Sequence, residues 1–182
     1  SGRAGLRPSA DGTFEIPSWR HAVINFPHPL LEQGLVVLDT PGLNAIGAEP
    51  ELTLSLLPNA HAILFVLAAD TGVTQTDLEV WRDHVAGSGA HAAGRIAVLN
   101  KIDGLWDGLR SEAQIDVEIE RQVASCARIL ELDPARIFPV SAQKGLVAKV
   151  TGDQVMLARS RLSPLEAALA DQLLPAKRQI VA

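Results

Sequence analysis

The sequence predicts an α/β fold in which a doubly wound, mostly parallel sheet is flanked by helices. Apolar runs of strand length alternate along the chain with longer segments whose apolar residues recur at helical spacing. The runs are apolar at nearly every position, which is typical of parallel strands that are buried on both faces. Ligands of such sheets bind beyond the carboxyl ends of the strands, so polar residues there are the first candidates for function.

The amino-terminal part holds two of the predicted strands. Residues 1–18 contain glycine, proline and few apolar side chains, and we expect them to form a flexible lead-in to the folded domain. Alternating apolar residues over 19–26 predict a strand, and the apolar run at 35–38 predicts a strand that is buried on both faces. Pro50 suits the first turn of a short helix that ends near Leu57.

The central part predicts the core of the sheet. Residues 62–68, 95–99 and 137–140 are apolar runs of strand length, and polar motifs follow the last two of them. Thr74 and Asp77 match a capping box, with aspartate in place of the usual glutamate, and predict the start of a helix between the first two runs. This order indicates parallel strands joined by helical crossovers.

The carboxyl-terminal half contains the longest predicted helix. Ser111 and Gln114 form a capping box ahead of apolar residues at helical spacing, and Cys126 is expected in the core on that helix. Residues 144–154 predict an irregular excursion. A further capping box with proline at the first helical position predicts that the last helix begins at Ser163.

Length, charge and composition exclude several classes of protein. A chain of 182 residues, 47% of them hydrophobic, suits one domain with a folded core. The net charge of −5 gives no electrostatic footprint for DNA or RNA, so we expect no nucleic-acid partner. The single cysteine excludes an internal disulfide and fits a reducing compartment such as the cytoplasm. The longest apolar run, 62–69, is too short to span a bilayer.

The strongest functional motif is Asn100-Lys101-Ile102-Asp103, directly after the strand at 95–99. The Asp103 carboxylate can accept hydrogen bonds from guanine N1–H and from the exocyclic amine, whereas adenine offers neither in that arrangement. Asn100 is expected to tie neighbouring loops together and to contact N7. Lys101 is expected to lay its aliphatic stem along the base plane. The motif therefore predicts a guanine site.

Two further motifs follow predicted strands. In Asp39-Thr40-Pro41-Gly42, the Asp39 carboxylate is expected to reach Mg²⁺ through a water, and the Gly42 N–H to meet the γ-phosphate. Downstream, the segment Ser141-Ala142-Gln143 is expected to bring a backbone N–H near Ala142 to guanine O6. Together the three motifs predict binding of GTP or GDP with Mg²⁺. We define the candidate site as Asn100, Lys101, Asp103, Ser141, Ala142 and Gln143.

The sequence lacks the phosphate-binding loop G-x-x-x-x-G-K-[ST] that such proteins use. That loop follows the first strand of the fold, ahead of Asp39, and the chain begins at Ser1 without methionine. We therefore expect a fragment that is inactive alone, from a parent that hydrolyses GTP. A divergent protein that never had the loop and deliberate removal of the loop are alternatives. The missing first strand is expected to leave an unfilled slot or exposed strand edges.

Three segments carry a family resemblance. Residues 34–44, 62–70 and 98–103 resemble the dynamin superfamily, especially bacterial dynamin-like GTPases. The likeness covers the distal part of a GTPase domain, so we expect residues 19–182 to form a partial GTPase domain. It implies GTP hydrolysis, homodimerisation across the nucleotide face and membrane remodelling through a helical stalk, which this chain does not contain. The expected location is the cytoplasm, with membrane association only through other parts of the parent.

One departure concerns the attacking water. In Ras-like GTPases a glutamine after D-x-x-G orients this water, whereas here Leu43 holds that place. The resemblance implies that a switch threonine and dimerisation order the water instead. Thr13 is the only threonine ahead of Asp39, and no motif supports it. Two other functions stay open on the sequence: a ribosome- or RNA-associated GTPase, and a non-catalytic interaction module with a GTPase-like fold.

Overall fold

The centre of the structure is a parallel sheet of three strands, β1 (Ile63–Ala68), β2 (Arg95–Asn100) and β3 (Ile137–Pro139), in that order. The computed structural model describes residues 23–39, 57, 60–87, 94–106 and 108–173. Because the three strands run the same way, their carboxyl ends meet at one edge of the sheet. This edge carries the polar motifs that follow β2 and β3.

The helices cover both faces of this sheet. The described helices are α1 (Pro29–Glu32), α2 (Gln75–Val80), α3 (Glu112–Leu130), α4 (Ala142–Thr151), α5 (Gln154–Ser160) and α6 (Leu162–Ala168). Two of them continue as π-helical segments, α2 over Trp81–Ala86 and α6 over Leu169–Leu173. Short 3₁₀ turns span Ile102–Leu105 and Pro134–Arg136. Crossover helices between parallel strands make the fold a doubly wound α/β fold, as predicted.

One face of the sheet packs on α2 and α3. Trp81 is buried at the centre of this contact: its indole N–H donates to the Leu130 carbonyl at 3.0 Å, and its ring meets Phe65 edge-on at 5.3 Å. Cys126 is buried in the same cluster, as predicted, and burial raises the pKa of its thiol. The protonated thiol therefore acts here as a small apolar side chain.

The other face packs on α6. Ile96 and Val98 of β2 point to this side and are buried against Val140 and Leu165. The middle strand is thus covered on both faces, which explains its nearly continuous apolar sequence. On the same face, Leu64 and Val66 of β1 remain 40% and 59% exposed.

Both capping boxes that open long crossover helices are present. The Thr74 backbone N–H donates to Asp77 Oδ2 at 3.0 Å, and the Asp77 N–H returns a bond to Thr74 Oγ1 at 3.2 Å. Ser111 and Gln114 exchange the same pair of bonds at the start of α3. Each box satisfies backbone N–H groups that a helix leaves unpaired at its first turn, so the predictions from these residues are confirmed.

The strands predicted ahead of Asp39 are wrong where the structure describes them. Residues 35–38 join no sheet, and Val36 and Val37 are 77% and 69% exposed. Residues 23–26, the described part of the strand predicted at 19–26, are likewise outside any strand and exposed. A strand needs a neighbour to pair its backbone groups and to cover its side chains, and none of the described residues supplies one here.

Two predictions in the carboxyl-terminal half are also wrong. The excursion predicted over 144–154 is mainly helix α4, which Ser141 caps by accepting from the Lys144 N–H and which Gly152 ends at a φ of 76°. The last helix begins at Leu162 without a side-chain cap, so the capping box predicted at Ser163 does not form. In both places packing against α5 outweighs the local sequence signal.

Gly145 allows α4 to approach the end of α5 and the start of α6 closely. A Cβ on this residue would lie 2.8 Å from Leu162 Cδ2 and 2.9 Å from Ser160 Oγ. Although alanine usually favours a helix over glycine, we expect Gly145→Ala to lower the free energy of unfolding by about 1–3 kcal/mol through overpacking. Urea denaturation measures this change. Gly87→Ala, at a position with nothing within 4 Å, is the control and should change stability far less.

Candidate nucleotide-binding site

The turn after β2 places the first half of the candidate site. Lys101 adopts the left-handed conformation, with φ 65° and ψ 32°, which is rare for a residue with a side chain. This reversal starts the turn Ile102–Leu105. The Ile102 side chain is fully buried in that turn, and the Ile102 backbone N–H donates to the Val140 carbonyl at 3.2 Å. Buried Ile102 therefore anchors the two polar residues on either side of it, while Lys101 itself is exposed.

Asn100 connects the two halves of the site. Its side-chain Oδ1 accepts from the Lys101 N–H at 2.8 Å and from the Ala142 N–H at 3.1 Å. The first bond fixes the turn after β2, and the second fixes the first residue of α4, which follows β3. The loop-tying role expected for Asn100 is thus visible in its contacts.

Asp103 and Ser141 form the closest polar contact across the site. The Ser141 hydroxyl donates to Asp103 Oδ1 at 2.6 Å and accepts from the Lys144 N–H at 3.3 Å. Ser141 is fully buried, whereas Asp103 is half-buried. Within the described residues, the second carboxylate oxygen of Asp103 accepts no hydrogen bond. The carboxylate is therefore held in place by one oxygen, and the other oxygen remains able to accept hydrogen bonds.

The start of α4 presents the backbone N–H groups near Ala142, one of which is expected at guanine O6. The Ala142 N–H itself donates to Asn100 in this structure. The next N–H, of Gln143, has no hydrogen-bond partner in the described part of the chain. It belongs to the first turn of a helix, where N–H groups lack intrahelical partners and favour a negatively polarised atom. Both Ala142 and Gln143 are exposed at the edge of the site.

The residues expected at the metal and phosphates are only partly described. Asp39 is exposed, whereas Gly42, Thr13, Thr40 and Leu43 lie outside the described residues. Among the described residues, no group of three His, Cys, Asp or Glu side chains is placed to hold a metal ion. Mg²⁺ in nucleotide sites takes most of its ligands from phosphates and water, so one exposed carboxylate fits as a protein ligand.

Sequence reasoning missed the contribution of α5. Ser160 is fully buried, and its carbonyl accepts from the Ser141 N–H at 2.9 Å. This bond fixes the backbone of Ser141, whose side chain bonds to Asp103. No local pattern marks Ser160, because its contact depends on how α4 and α5 pack.

The described helices include none with the length and apolar character needed to cross a membrane.

A family model described as "Dynamin family" matches residues 13–102. The segment includes Asp39, Gly42 and the first three residues of the motif at 100–103. None of the comparisons supports the RNA-associated or the non-catalytic alternative.

Two relatives and one solved structure illustrate the match. The chain is 30% identical over 130 residues to a bacterial dynamin-like protein of Nostoc punctiforme, covering 71% of this chain and 18% of that protein. It is 28% identical over 136 residues to a probable transmembrane GTPase, FZO-like and chloroplastic, of Arabidopsis thaliana, covering 71% of this chain and 13% of that protein.

The structural neighbour is the LeoA bacterial dynamin GTPase from ETEC, with a TM-score of 0.51 and 21% identity over 69% of this chain and 25% of that one. At this identity the likeness supports the fold. The chain thus spans less than a third of the length of each of these three proteins. The family model and these relatives support part of a bacterial dynamin-like GTPase domain for this chain.

Proposed function

We propose that this chain reads the guanine base in a GTP-binding domain. The observation that carries the proposal is the Asp103 carboxylate, which the Ser141 hydroxyl holds at 2.6 Å beside the Asn100 link between the two loops. A half-buried carboxylate that is oriented in advance costs little reorganisation when a ligand donor arrives. Guanine offers two adjacent donors of the required geometry, N1–H and the exocyclic amine.

Each residue of the candidate site then has a role. Asp103 accepts from N1–H and the amine, and Ser141 orients that carboxylate. Exposed Lys101 covers one face of the base with its aliphatic stem. Asn100 fixes both loops and faces N7. The N-terminus of α4 meets O6, either through the Gln143 N–H or through the Ala142 N–H once its bond to Asn100 is shared.

The phosphates and metal belong to the other half of the proposed site. Asp39 supplies a carboxylate for Mg²⁺ through water, and the Gly42 N–H meets the γ-phosphate. The whole protein hydrolyses GTP with the help of the phosphate loop that this sequence lacks. It works in the cytoplasm as a homodimer, and its role is to remodel membranes. Because the phosphates provide much of the affinity in such sites, this chain alone binds guanine nucleotides weakly.

The test is an NMR titration of the ¹⁵N-labelled chain with GDP and, separately, with ADP. Weak binding is visible by this method at millimolar ligand. We expect GDP to shift the amide signals of residues 100–106 and 141–145, and ADP to leave them unchanged. Equal shifts with both nucleotides, or none with GDP, would contradict the proposed function.

A further inference from the structure

A second contact from α5 reaches the turn that carries Asp103. The Arg159 guanidinium lies over the Trp106 ring, 4.3 Å from its centroid. Trp106 ends the turn Ile102–Leu105, and its backbone N–H donates to the Asp103 carbonyl at 3.1 Å. The ring also packs against the main hydrophobic cluster. Trp106 is therefore held between the core and Arg159, and its backbone is bonded to Asp103.

Arg159 is itself fixed in position. Its Nη2 lies 2.7 Å from Glu112 Oε1 in the first turn of α3, and its side chain is 34% exposed. Its Nε is buried and has no hydrogen-bond partner in the described structure. A buried N–H without a partner is unfavourable, so solvation does not explain why the guanidinium lies here. Its position is set by the contacts with the Trp106 ring and the Glu112 carboxylate. The contact joins three elements: α5, α3 and the turn after β2.

Arg159 and Ser160 contact residues bonded to, or belonging to, the two halves of the candidate site. Ser160 accepts directly from the Ser141 N–H, while Arg159 contacts Trp106, whose backbone N–H donates to the Asp103 carbonyl. Consecutive residues at the end of one short helix thus connect to both partners in the Asp103–Ser141 hydrogen bond. If the Arg159 contact is lost, Ser141 stays in place and the turn that carries Asp103 gains freedom to move.

We propose that Arg159 is a positioning residue for guanine recognition, which holds Trp106 and, through it, the turn that presents Asp103. This inference rests on the function proposed above. Arg159 does not touch the base. It keeps the Asp103 carboxylate in the place where it meets the exocyclic amine of guanine.

The test compares three variants of the full chain. Arg159→Gln removes the guanidinium, and Arg159→Lys keeps a cation that can still lie over the ring. Arg161→Gln is the matched control, because Arg161 also joins this region to α3, through Asp116 at 2.5 Å, with a side chain 31% exposed. No contact between Arg161 and Trp106 is present in the described residues.

Two measurements separate positioning from general stability. Hydrogen exchange of the amides of residues 103–106, without nucleotide, reports how firmly the turn is held. The ratio of GDP to IDP affinity, from NMR titration, reports the contact between Asp103 and the amine, because IDP lacks that amine. We expect Arg159→Gln to speed exchange about two- to thirtyfold, the range that a cation–π contact supports, and to lower the ratio. Arg159→Lys should retain most of the slow exchange and most of the GDP preference over IDP. Arg161→Gln should change neither the exchange rate nor the affinity ratio.

Three outcomes would overturn the inference. Unchanged exchange in Arg159→Gln would show that the contact does not hold the turn. Equal effects of Arg159→Gln and Arg161→Gln would reduce the role to general stability. Equal affinity of the unsubstituted chain for GDP and IDP would contradict the proposed function and, with it, the role of Arg159 in guanine recognition. The hydrogen-exchange data distinguish failure of the proposed function from failure of the Arg159 contact.

Discussion

Asp103→Asn is expected to shift the base preference of the site from guanine to xanthine. The asparagine amide presents one acceptor and one donor where the carboxylate presents two acceptors, and xanthine carries a carbonyl where guanine carries the exocyclic amine. Loss of one hydrogen bond to a charged group costs about 1.5–3 kcal/mol, so GDP affinity should fall about ten- to 150-fold. XDP affinity should rise above that of GDP. NMR titration with the two nucleotides measures both constants.

The substitution should leave the surrounding site intact. Asparagine keeps the Oδ1 that accepts from the Ser141 hydroxyl, so the bond between the two loops is retained. Asp133→Asn is the matched control, since it makes the same change of charge at an exposed carboxylate that only caps the Ala135 N–H. This control should keep the guanine preference. An Asp103→Asn chain that still prefers GDP would show that Asp103 does not read the base.

Ile102→Ala is expected to have the largest effect on stability. The side chain is fully buried between the exposed Lys101 and the half-buried Asp103, and it packs in the main cluster. Its truncation removes apolar contacts and leaves a cavity, which should lower the free energy of unfolding by about 2–5 kcal/mol. For a chain of this size that corresponds to a fall in Tm of about 5–20 °C. Thermal or urea unfolding followed by circular dichroism measures it.

Ile102→Val separates the loss of volume from other effects. It removes one methylene from the same place and should cost about 0.5–1.5 kcal/mol. The alanine variant should also bind GDP more weakly under conditions where it is still folded, because its neighbours on both sides lose their anchor. If alanine destabilises no more than valine, Ile102 is not the anchor of this turn.

The parts of the fold that the sequence predicts are those with local causes. The run that forms β2 is apolar because both of its faces are covered, and the run of β1 has the same apolar pattern although Leu64 and Val66 stay exposed. The capping boxes at Thr74 and Ser111 are complete within four residues. The motif at 100–103 is similarly local, so its position at the end of β2 follows from the strand alone.

Most of the failures involve partners that lie far away in the sequence. Residues 35–38 read as a buried strand because apolar runs do not show whether a neighbouring strand is present. Helix α4 is the exception, because its cap is local: Ser141 accepts from the Lys144 N–H and also belongs to the candidate site. The contact between Arg159 and Trp106 depends on the packing of α5 against the turn after β2, for which the sequence carries no pattern.

The most direct test of the account is a crystal structure of the chain with GDP. We expect guanine N1 and the exocyclic nitrogen within about 2.7–3.2 Å of the Asp103 carboxylate oxygens, with Ser141 still bonded to that carboxylate. We also expect O6 at the N-terminus of α4, within the same distance of the Gln143 or the Ala142 nitrogen. A base that lies elsewhere, or one whose N1 and amine are beyond hydrogen-bond distance of Asp103, would contradict the account.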